Sequence, residues 1–170
     1  PWLFSVRLGA DDKKGAQKIL ANSFSMMILV SLGLTVLFLL TRKWLLVWFG
    51  ASEVTFPYAN TYMTIYTVGT FFALISMGMN YFITAQGFPL LGMMTTLIGA
   101  VINIVLDPVF IFLFDMGVAG AAVATVIAQM SSCAFVLLTL RRKKMQVPLG
   151  IVKPDLASAV RIVKIGFSPF

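Results

Sequence analysis

Gly99-Ala-Val-Ile-Asn103-Ile-Val-Leu-Asp107-Pro108 holds the only acidic side chain set well inside a long apolar run of this chain. A carboxylate near mid-bilayer costs about 2.5–3.5 kcal/mol on insertion scales, so its position calls for a compensating role. Asn103 stands four residues before Asp107, and on a helix the two share one face. Pro108 has no N–H, which deprives the carbonyl of Ile104 of its helical donor. One face thereby gathers an amide, a carboxylate and a carbonyl, the hard oxygen ligands that suit a small cation or a proton site. A local alternative exists: Asp followed by Pro is a common helix start, with the Asp as its cap. The apolar run continues on both sides for a full membrane span, and this favours the cation or proton site.

Composition places that run in a membrane. The chain is 59% hydrophobic with a mean hydropathy of +0.96, beyond the range of soluble domains. Its net charge of +7 comes from Lys and Arg lying between apolar runs, so the charges read as topology signals and nucleic acid is not an expected partner. With no His and one Cys, Cys133, a zinc or iron site of the usual ligands and an internal disulfide are both excluded within this sequence. Cys133 reads as a small packing residue. Residues 1–8 lack the basic and apolar regions of a signal peptide. The chain opens on Pro1 and closes on Gly166-Phe-Ser-Pro-Phe170, where another apolar segment starts, so it reads as a piece of a longer protein.

Four spans follow from the apolar runs: about 19–40, 58–84, 90–114 and 118–140. Residues 1–5 end an earlier apolar element, and 7–18 form a charged connector with Asp11 and Asp12 at a helix start. Trp44 and Trp48 with Arg42 and Lys43 mark one interface. Ser76, Asn80 and Thr84 recur every four residues on the second span; Asn80 is either interhelical glue or a substrate-facing group. Asp115-Met-Gly117 is so short that the third and fourth spans must form a hairpin. Asp107 lies nine residues before Met116 and Thr125 nine after, each roughly 13 Å from the turn at 1.5 Å per residue. Thr125 therefore either bonds its own helix or completes an oxygen cage with Asp107. Gly117, Ala121, Thr125, Ala128 and Ser132 form a stripe for close helix packing. Lys and Arg number 11 on the side of the two termini against 2 opposite, which predicts both ends in the cytoplasm.

Pro1 to Gly9, Phe49-Gly-Ala-Ser52, Asn80 through Ala85-Gln-Gly87, Leu97-Ile-Gly-Ala through Asp107-Pro108, and Gly117-Val-Ala-Gly-Ala-Ala-Val-Ala-Thr125 resemble the multidrug and toxic compound extrusion (MATE) family, in the family's order. The resemblance implies an all-α integral membrane protein, a twelve-helix antiporter of two six-helix lobes. Residues 1–140 would be the N-lobe bundle from the end of helix 2 through helix 6, 141–164 a cytoplasmic inter-lobe linker and 165–170 the start of helix 7. It implies a cation-binding site at Asn103, Asp107 and Thr125, completed by an Asp on the helix 1 that this sequence does not include. Asn80 would line the lobe cavity. The sequence departs from many relatives at Thr84, where they carry Arg.

The reading is a secondary transporter of the cytoplasmic membrane, not an enzyme. It would exchange Na+ or H+ for drugs or other amphipathic small molecules, with Pro108 as hinge and no cofactor beyond the coupling ion. Its partners would be substrate, membrane lipid and the remaining helices of both lobes. A lipid-linked saccharide flippase of the wider superfamily is the rival; it needs Arg inside the cavity for pyrophosphate, and none of the four spans has one internally. A membrane-embedded enzyme would need a second acid beside Asp107, and the others lie at loops. A scaffold would leave Asp107 unexplained.

Overall fold

A computed structural model of the chain describes residues 2–150, 160 and 162, and these are helical without strands. The charges of Lys153, Arg161 and Lys164 and the expected helix start at 165–170 lie outside the described residues. The elements are α1 (Trp2–Gly9), α2 (Lys13–Trp48), α3 (Phe56–Ala85), α4 (Pro89–Pro108) and α5 (Gly117–Leu140). A π-helical turn, Val109–Leu113, follows α4 directly. The last four helices, with the turn counted into α4, are each long and apolar enough to cross a membrane.

Local chemistry sets the ends of these helices. Asp12 caps α2: its carboxylate accepts from the Gly15 amide at 2.9 Å and from Arg7 at 2.7 Å. Those donors, the Gly15 amide foremost, hold its carboxyl below the usual range. Arg7, expected in a connector, is thus in the last turn of α1. With this cap and neither Gly nor Pro between Leu34 and Phe49, α2 runs well past the apolar stretch at both ends. Pro57 and Pro89 sit in the first turns of α3 and α4, where a missing N–H is harmless.

Helix α3 is the centre of the bundle, packed on α2, α4 and α5. Gly69 allows its approach to α5, since a Cβ there would stand 3.3 Å from the Val126 Cα. The buried Gly and Ala residues of α5 are Gly120, Ala122, Ala124 and Ala128. Gly117, expected to begin that stripe, is exposed and turns the chain at φ 52°.

The apolar core gathers at one end, where Phe4, Leu20, Met79, Ile83, Val136 and Leu140 are buried. Phe4 meets the Phe82 ring edge-on at 5.2 Å. The segment after α5 folds back over this end and seals it. Met145 and Val147 are buried, the Val147 amide donates to Gln86 Oε1 at 2.8 Å, and Gln146 donates to the Gln86 carbonyl at 3.0 Å. Leu149 N–H caps the Leu140 carbonyl at 2.8 Å. Within the expected linker, Arg141 to Lys144 are exposed and Met145 to Leu149 are packed on the bundle.

Candidate functional site

An open groove of about 360 Å³ runs between α3, α4 and α5. Its polar side chains come from all three helices: Ser76 and Asn80 from α3, Thr95, Thr96 and Asn103 from α4, Thr125, Gln129 and Ser132 from α5. Polar groups on three apolar helices meet here because each would otherwise face lipid.

Asn103 organises one part of the groove. Its Nδ2 donates to Asp107 Oδ1 at 3.1 Å along α4 and to Thr125 Oγ1 at 3.3 Å across to α5. The three residues named from spacing and hairpin depth are therefore within hydrogen-bond reach of one nitrogen. Thr125 bonds its own helix, its hydroxyl proton going to the Ala121 carbonyl at 2.9 Å, while its oxygen accepts from Asn103. All three side chains are half-buried. Because Asn103 spends its N–H groups on its neighbours, its own carbonyl oxygen, the Asp107 carboxylate and the Thr125 hydroxyl are the oxygens a small cation would meet.

The capping alternative for Asp107 does not hold. Helix α4 passes through Asp107 to Pro108, and the following turn has no side-chain cap. The irregularity expected at Pro108 falls just after it: Phe114 N–H donates to the Val109 carbonyl five residues back at 3.0 Å, and Met116 N–H to the Phe110 carbonyl six back at 3.1 Å.

Asn80 sits further along the groove and is also interhelical glue. Its Nδ2 donates to the Gly92 carbonyl at 3.2 Å, and its Oδ1 accepts from Thr95 at 3.4 Å. Ser132 then donates to the Thr95 carbonyl at 3.1 Å, so α4 is pinned to α3 and α5 at this level. Thr84 bonds the Asn80 carbonyl of its own helix and is exposed, its hydroxyl beside Gly92 of α4.

Sequence reasoning missed Tyr62 and Gln86. Tyr62, on α3, lies within electrostatic reach of Asp107; a phenol amid a span is a signal that could have been followed. Gln86, 1% exposed, was passed over in an uncharged turn. A cluster of three or more His, Cys, Asp or Glu side chains able to hold a metal ion is absent among the described residues.

Residues 2–109 match the family model described as MatE. The multidrug export protein MepA of Staphylococcus aureus strain N315 is 29% identical over 168 residues, 96% of this chain and 37% of that protein. A solved inward-facing conformation of a multidrug resistance MATE family transporter of the MOP superfamily superimposes with a TM-score of 0.88 at 25% identity, covering 96% of this chain and 38% of that one. An outward-facing conformation of such a transporter gives 0.86 at 26% identity, covering 95% and 36%. The chain thus spans somewhat over a third of the length of these relatives.

Proposed function

The chain belongs to the MatE family, and on that premise we propose that it forms most of the first lobe of a secondary transporter that exports amphipathic, often cationic, small molecules in exchange for Na+ or H+. The protein would lie in the cytoplasmic membrane with both ends of this chain inside, as its charge asymmetry favours. It would work with helices 1 and 2 and a second lobe.

The observation that carries this reading is the Asn103 amide joined to both Asp107 and Thr125 in a groove between helices. The Asp107 carboxyl, accepting from the Asn103 amide that also reaches Thr125 on α5, would be the group that meets the coupling cation or proton, with the irregular turn after Pro108 directly beyond it. Each monovalent cation entering down 100 mV supplies about 2.3 kcal/mol for outward movement of substrate. Near-equal likeness to inward- and outward-facing relatives fits a lobe that moves as one body around such a site. The groove lining carries neither Lys nor Arg, which disfavours a pyrophosphate-bearing lipid as cargo.

The test is Asp107→Asn in the full-length protein, reconstituted in vesicles with an imposed Na+ or pH gradient. Asn keeps the shape and an acceptor for Asn103 but removes the charge. Two unit charges 4 Å apart at an effective dielectric near 20 attract by about 4 kcal/mol, close to a thousandfold in cation affinity. Gradient-driven export of a fluorescent cationic dye should fall to background while the protein still inserts. Export at the wild-type rate, with the same ion response, refutes the reading.

A further inference from the structure

The hairpin between α4 and α5 contains a backbone contact that residue spacing alone does not reveal. Gly120 packs its Cα directly on the backbone of the π-helical turn: a Cβ at this position would stand 2.7 Å from the Phe110 carbonyl oxygen and 2.8 Å from its carbon. Both are backbone atoms, so a methyl group fits only if the turn or α5 moves. The same Phe110 carbonyl accepts from Met116 N–H at 3.1 Å, which closes the wide turn on itself.

The contact sits beside the Asp107 cluster. Phe110 lies three residues beyond Asp107, and Gly120 five before Thr125, so both are within about 8 Å of helical rise of the groups they precede or follow. Together with the Asn103 bond to Thr125, it packs α4 and its π-helical turn against α5. Resting on the cation-site reading above, we infer that Gly120 is a positioning residue: by seating the π-helical turn against α5, it sets where the Asp107 carboxylate stands relative to Thr125, and hence the cation affinity. Linkage makes this reciprocal. If turn geometry tunes cation binding, bound cation must tighten the turn by the same free energy.

Gly120→Ala in the full-length protein tests this. Displacing a group that orients a ligand typically weakens ion affinity by about tenfold or more. The half-saturating Na+ concentration, or the pH midpoint for a proton-driven protein, should shift by about tenfold or one unit. The maximal rate at saturating ion should change far less, a split that a general packing defect does not produce. Gly33→Ala, where nothing among the described residues lies within 4 Å of the added methyl, serves as control and should match wild type. An unchanged ion midpoint in Gly120→Ala overturns the inference. Should that variant fail to accumulate, wild-type protein decides. Hydrogen exchange at the Phe114 and Met116 amides should slow in saturating coupling ion, and equal rates with and without it overturn the inference. Failure here with wild-type export still ion-driven refutes the positioning role alone, whereas ion-independent wild-type export removes the cation-site reading beneath it.

Discussion

Replacing Asn103 by Leu should separate the two bonds its amide makes. The bond to Asp107 lies within one helix, and membrane helices stay formed when a bundle comes apart, so it survives in the dissociated state. The bond to Thr125 at 3.3 Å crosses between helices and is lost on dissociation. Interhelical hydrogen bonds in membranes average about 0.6 kcal/mol and reach about 1.7. Asn103→Leu and Thr125→Val should therefore each lower the unfolding free energy of the full-length protein in bicelles by about that much. The double variant should lose hardly more than either single one, because both remove the same bond. Ion affinity should behave differently: losing the group that orients the carboxylate costs about tenfold or more. Unfolding and Na+ or pH titrations on the same four proteins give both quantities. Strictly additive stability losses would refute the interhelical bond, and unchanged ion affinity in Asn103→Leu would refute its role at the site.

Gln86→Leu should free the segment that seals the core end of the bundle. It leaves the buried Val147 N–H without its acceptor, a loss of about 1–3 kcal/mol, so exchange of that amide should rise by about tenfold or more; an unchanged rate would mean the seal rests on Met145 and Val147 packing alone. For topology, a cysteine at Lys143 should react with an impermeant reagent only from the cytoplasmic side and one at Glu53 only from outside. The opposite labelling would invert the orientation proposed here.

What could be read from the sequence divides along a physical line. Asn103 and Asp107 lie four apart on one helix, and that geometry follows from helical periodicity with no knowledge of neighbours. Thr125 came within reach because a short turn makes depth on one helix predict depth on the next. Tyr62 had no such relation to Asp107: their approach depends on how α3 rotates against α4, which no loop length fixes. Gln86 meets residues 60 and 61 positions away, and a buried amide in a turn shows its partner only once the course of the later segment is known. Pro108 announced a missing hydrogen bond but not the wide turn that follows it, whose backbone leaves room for no more than Gly120 on the facing helix. The acid and the proline were legible because their costs are local. The residue that seats the turn was hidden because a glycine in a row of small residues looks the same whether it packs on a side chain or on the backbone of a turn.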